Sequence, residues 1–88
     1  MMSKGHRIRE ILTNEEYSGI LYEDMDEAML GIYRKSPNRI IPVYSYIKYI
    51  EILVRQGMSE EEAIEYVDTN VFPIDDMYNP IIIDDTGV

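Results

Sequence analysis

The chain has 88 residues, a formal net charge of -9 and no cysteine. A chain of this length forms one domain and buries only roughly 60% of its unfolded surface, which leaves no room for a second core. The lack of cysteine excludes disulfides, thiol nucleophiles and thiolate metal sites, and fits a reducing setting. The N-terminal MMSKGHRIRE lacks the apolar run of a signal peptide, and no segment approaches the roughly 20 apolar residues of a membrane span, which predicts a cytosolic protein.

Charge is distributed unevenly along the chain. Lys4, Arg7 and Arg9 make the first ten residues weakly basic, and a mixed stretch ends at Arg55. Beyond Arg55 there is no Lys or Arg, and every charged residue is Asp or Glu. Nucleic-acid binding depends on cations that displace phosphate counterions, so this surface predicts no affinity for nucleic acid or for an acidic membrane.

The first half of the chain predicts a short helix and a hairpin. Residues 3–19 form a weakly amphipathic helix that ends near Thr13 or Gly19. AMLGIYR, residues 28–34, is typical of a strand covered on both faces, with a bulge or close packing at Gly31. KSPN then makes a turn into RIIPVY, a second strand in which Pro42 belongs at an edge or a strand end.

Two capped helices follow the hairpin. Ser45 caps a helix over residues 46–56, and Gly57 ends it in the left-handed conformation. Ser59 and Glu62 form the capping box of the next helix.

The predicted fold is α+β. A small antiparallel sheet, made of the hairpin and a C-terminal strand in PIIIDD, packs against an αα-hairpin, with a short N-terminal helix. The whole chain is one domain: a weakly ordered helix at 1–19, a core at 20–84 and a tail at 85–88.

The first of these helices is apolar on most sides. Ile47, Ile50 and Val54 form one stripe, and Tyr46, Tyr49 and Leu53 extend it. Such a helix is either central to the core or partly committed to another chain.

The second helix is amphipathic and acidic. Ala63, Ile64, Val67 and Val71 are predicted to face inward. Outward lie Glu61, Glu65 and Asp68, flanked by Glu62 and Tyr66. Two interpretations stay open for this row: a solvated face or a binding surface.

The sequence contains no strong motif for DNA binding, catalysis or metal binding. The helix pair resembles a DNA-reading helix-turn-helix only in outline, because its second helix offers carboxylates where a reader needs cations and amides. His6 lies outside any triad pattern, and the acidic pairs Asp75–Asp76 and Asp84–Asp85 have nothing to separate their pKa values as acid–base catalysis requires. EDMDE fails the calcium-loop pattern at Ala28 and Met29. The prediction is therefore no enzyme, no cofactor and no metal.

Four blocks of the sequence are distinctive in combination: DEAMLGI, PVYSYIKYIEIL, GMSEEEAIEYVDTN and NPIIID. In this combination the chain resembles a family of small, acidic, uncharacterised proteins of tailed phages and prophages. The match spans residues 23–84, and GMSEEEAIEY is its most specific block. It departs between Val71 and Asn79, where this chain has FPIDDMY. The resemblance implies an early accessory protein that binds and blocks host machinery, and it implies no catalytic residues.

Charge and resemblance together predict a non-enzymatic protein that binds a basic surface on a host protein, as acidic anti-CRISPR and DNA-mimic inhibitors do. The predicted contact residues are Glu61, Glu62, Glu65, Tyr66 and Asp68. The alternative is a small homo-oligomeric structural or regulatory module. In that case Tyr46, Tyr49 and Leu53 would form the interface of a homodimer.

Overall fold

A sheet of three strands organises the fold in a computed structural model that describes residues 4–37, 39–71 and 80–87. The strands are β1 (Met29–Ser36), β2 (Arg39–Ser45) and β3 (Ile81–Ile83), hydrogen-bonded in the order β1-β2-β3. The helices are α1 (Lys4–Asn14), α2 (Tyr46–Arg55) and α3 (Glu60–Tyr66). A 3₁₀ turn at Asp26–Ala28 precedes β1, and a π-helical turn at Val67–Val71 extends α3.

The predicted α+β class is confirmed, but the sheet is mixed. β1 and β2 form the predicted antiparallel hairpin, whereas β3 runs parallel to β2 with Val43 opposite Ile81. The prediction of a wholly antiparallel sheet is therefore wrong at β3. The reason is the connection: parallel neighbours need a crossover of a dozen or more residues, and α2 and α3 lie between β2 and β3.

The hairpin also departs from its predicted burial. β1 is an edge strand in which residues 33–36 are all exposed. The prediction that this strand is covered on both faces is therefore wrong. A register shift between Met29 and Gly31 marks the expected bulge. Pro42 lies in the central strand, but β3 pairs only from Val43 onward, so Pro42 precedes the part of β2 that is flanked on both sides. Of the predicted turn, Asn38 lies outside the described residues.

Both ends of α2 are closed as predicted. The Ser45 hydroxyl oxygen accepts a hydrogen bond from the backbone N–H of Lys48 at 3.0 Å. At the other end Gly57 adopts φ +117, and the N–H of Met58 donates to the carbonyl of Leu53 at 3.1 Å. This pattern is a Schellman motif, which needs glycine because other residues adopt positive φ only at a cost. It reverses the chain tightly into α3.

The N-terminal helix ends at Asn14, next to Thr13, the earlier of its two predicted ends. α1 spans 11 residues, and it buries Ile8 and Leu12. A Cβ on Gly5 would overlap the backbone oxygen of Asp26, so only glycine allows α1 to approach the 3₁₀ turn this closely. The Arg9 guanidinium donates to both carboxylate oxygens of Asp26, at 2.7 to 3.0 Å. These contacts tie α1 to the segment that leads into β1.

A cluster of tyrosines stands at the centre of the core. Tyr44 on β2 is fully buried, and its ring lies 5.1 Å from that of Tyr22 and 6.4 Å from that of Tyr49, both edge to face. The Tyr44 hydroxyl accepts the backbone N–H of Tyr22 at 3.1 Å, which satisfies its oxygen inside the core. Edge-to-face pairs of this kind add to the free energy of apolar burial. The other buried hydrophobic residues include Leu12, Met25, Ala28, Met29, Ile52, Leu53, Ala63 and Val67.

Candidate protein-binding face

The acidic residues of α3 lie together on one exposed side. Ala63 and Val67 are fully buried and Val71 nearly so, which places this helix against the core by its predicted inner stripe. Ile64 is predicted to face inward as well, but the structure leaves it 36% exposed, because the contact with the core is narrower than the apolar stripe. The remaining side carries five exposed residues, called here the acidic face: Glu61, Glu62, Glu65, Tyr66 and Asp68.

The ion pairs of the described chain lie outside the acidic face. On α2, Lys48 pairs with Glu51 at 3.4 Å, and Arg55 pairs with Glu27 at 3.0 Å. Arg9 and Arg34 pair with Asp26 and Glu15. Within the described parts of the chain, no ion pair reaches the acidic face. Among the described residues, its carboxylates therefore have no direct counter-charge.

The carboxylates of the face differ in their internal hydrogen bonds. Glu62 closes the predicted capping box, because its Oε1 accepts the N–H of Ser59 at 3.2 Å and its own N–H donates to the Ser59 hydroxyl at 3.1 Å. Asp68 accepts the hydroxyl of Tyr46 at 2.7 Å, and this bond, aided by burial, raises the pKa of Tyr46 to about 12. Among described groups, none donates to Glu61 or Glu65, whose oxygens are available to a partner.

A shallow open groove of about 320 Å³ runs along the acidic face. It is lined by Met58, Glu62, Glu65, Tyr66, Thr69 and Asn70. Tyr66 is 41% exposed, so its ring lies at the surface beside the groove and is not buried in the core. Thr69 and Asn70 belong to the π-helical turn, a rare geometry that is frequent at functional sites.

Sequence reasoning missed three of these lining residues. Met58 precedes the N-cap Ser59, and Thr69 and Asn70 are uncharged, so a helical projection of the acidic residues omits them. The spacing of Glu62, Glu65 and Thr69 at three and four residues was the available signal.

The predicted alternative interface on α2 lies largely inside the monomer. Tyr49 and Leu53 are each only 5% exposed, and both belong to the core cluster. Tyr46 is partly buried, and its hydroxyl is held by Asp68. Two folded copies could not meet through Tyr49 and Leu53, because their surfaces already contact the same chain. Tyr49 and Leu53 are thus part of the monomer core, and self-association of the chain stays a prediction.

The acidic C-terminal pair has structural roles. Asp84 accepts the N–H and hydroxyl of Thr86 at 3.1 and 2.6 Å. Asp85 accepts the Ser45 hydroxyl at 2.6 Å and the N–H of Ile47 at 3.0 Å, so it is a second cap on the N-terminus of α2. The prediction placed residue 85 in a tail at 85–88. In the structure, Asp85 is hydrogen-bonded to the packed domain.

The other candidate chemical groups are dispersed. Asp26 of the calcium-like EDMDE stretch is paired with Arg9, and His6 lies exposed on α1. The described residues contain no group of three or more His, Cys, Asp or Glu side chains able to hold a metal ion. Asp75 and Asp76, with the FPIDDMY stretch, lie outside the described residues.

Comparison with protein-family models, with curated proteins and with solved structures finds no match for this chain. In the part of the chain that the structure describes, no helix is both long enough and apolar enough to cross a membrane. The geometry of the acidic face is therefore the main basis for a functional proposal.

Proposed function

We propose that this chain is a non-enzymatic phage accessory protein that binds and inhibits a host protein through the acidic face. The target is a protein with a cationic surface, of the kind that nucleic-acid-processing and defence enzymes use to hold phosphates. Binding takes place in the host cytoplasm. The phage context rests on the sequence resemblance, and the mode of binding rests on the face itself.

One observation carries the proposal: the carboxylates of α3 are exposed, adjacent and unpaired with any base of the described chain. Like charges four residues apart, as in Glu61 and Glu65, destabilise a helix by about 0.2–0.5 kcal/mol. The same chain places bases beside other carboxylates, including Glu15 and Glu27. The chain therefore keeps charge repulsion on the acidic face but offsets the charge of carboxylates elsewhere. This difference supports a role for the face in binding.

The charge pattern selects the class of partner. Nucleic acid and anionic lipid are repelled by such a face, whereas a cationic groove is attracted to it before contact. Carboxylates at helical spacing can occupy positions where such a groove would hold phosphates. Electrostatic attraction of this kind accelerates association and is weakened by salt.

Charge reversal on the face tests the proposal. The double variant Glu61→Lys with Glu65→Lys should lose capture of nucleic-acid-binding host proteins at low salt, and should no longer inhibit the captured enzyme. The matched control is Glu10→Lys with Glu16→Lys, which changes net charge equally at exposed positions in and just after α1. Circular dichroism should show both variants folded.

The control separates the face from the total charge. If it loses capture as fully as the α3 variant, net charge and not the acidic face drives binding. If the α3 variant still captures and inhibits the enzyme, the proposal is rejected.

A further inference from the structure

The groove on the acidic face has the chemistry of a side-chain pocket, and we propose that it receives an arginine side chain of the partner. This inference rests on the proposed function and narrows it, from a basic surface to one kind of basic residue. The groove is shallow and open, with about 320 Å³ of accessible space, which suits one long side chain lying along it rather than an enclosed ligand.

The groove combines an aromatic ring and a thioether with negative charge. Tyr66 offers an exposed ring, and Met58 is half-buried and packed against the core. A flat cation can stack on a tyrosine ring while its aliphatic stem covers a polarisable methionine. An acidic patch without apolar lining would attract cations but would not distinguish among them.

The two carboxylates in the groove favour a forked donor. Glu62 and Glu65 are three residues apart, which places them as neighbours on the helix surface. Glu62 uses Oε1 for the N–H of Ser59, and no described group donates to Glu65. A guanidinium carries five N–H donors in a plane and can bond both carboxylates while it stacks on Tyr66. A lysine ammonium is a strongly hydrated point charge and gains less from this arrangement.

Other occupants fit the lining less well. An anion would meet two carboxylates and no base in the groove. A divalent cation would find only two carboxylates there, and the described residues form no cluster of three metal-binding side chains. Calcium takes six to eight oxygen ligands, so two carboxylates are a poor site for it.

Oligo-arginine and oligo-lysine peptides of equal length are direct probes of this assignment. By fluorescence anisotropy at low ionic strength, the folded chain should bind the arginine peptide about two- to fivefold more tightly, as a cation–π contact at an exposed ring implies. Tyr66→Leu should abolish this preference, so that the two peptides bind equally. Tyr66→Phe should keep the preference because the aromatic ring remains.

Two single charge removals locate the effect. Glu65→Gln removes a carboxylate that lines the groove, whereas Glu61→Gln removes an exposed one, on the same helix, that does not line it. Glu65→Gln should reduce the arginine preference, while Glu61→Gln should weaken both peptides by the same factor. An arginine preference that is equally sensitive to both changes would overturn the groove as its source.

The outcomes separate this inference from the proposed function. Equal binding of the two peptides by the unmodified chain overturns the arginine pocket and leaves a basic partner in place. Binding of neither peptide at low ionic strength overturns both. An arginine preference that survives Tyr66→Leu rejects the stacking geometry and with it the pocket.

Discussion

Helices α2 and α3 are neighbours in sequence, yet the fold uses them in opposite ways. α2 buries Tyr49, Ile50, Ile52 and Leu53, and both of its bases are paired with carboxylates. α3 buries only Ala63 within its seven residues, and no ion pair among the described residues reaches its exposed carboxylates. One helix holds the domain together, while the other presents charge to the solvent.

The contrast shows how a small domain can carry an unfavourable surface. A domain of this size has a free energy of unfolding of only about 4–13 kcal/mol, at roughly 0.05–0.15 kcal/mol per residue. The repulsion on α3 is small against the burial that α2 provides. Stability and the proposed recognition thus depend on different helices, and each can be perturbed separately.

The largest expected effect comes from the buried side of α2. Leu53→Ala should lower the free energy of unfolding by about 2–5 kcal/mol, because it leaves a cavity at a side chain that is 5% exposed. Val54→Ala is the matched control on the same helix, since Val54 is 40% exposed. Urea denaturation should show a loss below about 1 kcal/mol for the control. Similar losses for both would contradict the assigned orientation of α2.

High pH should act on the tyrosines around α2. Burial raises the pKa of Tyr44 to about 12 and also raises that of Tyr49. The folded state therefore favours the neutral phenols: their contribution to stability is full below pH 10, the ordinary value, and is lost as the pH rises through about 12.

A pair of tyrosine variants checks this pH dependence. Tyr49→Phe on α2 has no proton to lose, so it should lessen the high-pH loss of helical signal in circular dichroism. Tyr33→Phe on β1 should leave the curve unchanged, because Tyr33 is 49% exposed. Identical curves for both variants would show that burial around α2 does not govern base unfolding.

A moderate effect is expected at the N-terminus of α2. Asp85→Asn should cost about 1 kcal/mol, in the range of lost helix caps. Burial alone would raise the pKa of Asp85, but hydrogen bonds from Ser45 and the Ile47 N–H outweigh it and hold the pKa below its ordinary 3.8. This contribution is present above pH 4 and is lost as the pH falls through the lowered pKa.

Thermal unfolding at several pH values tests the cap. The deficit of Asp85→Asn should be full near neutral pH and should shrink in acid. Asp84→Asn is the control, because Asp84 bonds only within its own turn, to Thr86. A deficit that stays constant into strong acid would contradict the role of the Asp85 carboxylate.

The smallest effect should have the opposite sign. Glu65→Lys replaces a like-charge pair with a Glu61–lysine pair in the favourable orientation, so α3 should gain about 0.2–0.5 kcal/mol. The same change should weaken binding of the basic partner. A variant that is more stable but binds less well would show that the face opposes stability, and a destabilised variant would contradict an exposed, unpaired Glu65.

Local chemistry follows directly from the order of residues along the chain. Ser45 and Ser59 as caps, Gly57 as a left-handed stop and the capping box of Glu62 were predicted and are confirmed. Each depends on residues within about four positions along the chain, where side chain and backbone meet whatever the rest of the fold does. The candidate contact residues are exposed as predicted, and their role in binding stays a prediction.

Contacts between distant segments do not follow from local sequence. The direction of β3, the exposure of Ile64 and the capping of α2 by Asp85 each depend on where a remote segment packs. The burial of Tyr49 and Leu53 also could not be predicted from local sequence. An apolar helix face shows the same residue pattern whether it packs against its own chain or against another chain.

Local hydrogen bonding, periodicity and composition were enough to predict the capped ends of α2 and α3, the α+β class and an acidic last third without bases. Which apolar face is buried in the core, which bases are already paired and where a groove opens beside Tyr66 became known only from the packed chain. Those outcomes depend on the competition among distant groups for the same surface, and that competition is settled only when the whole chain packs.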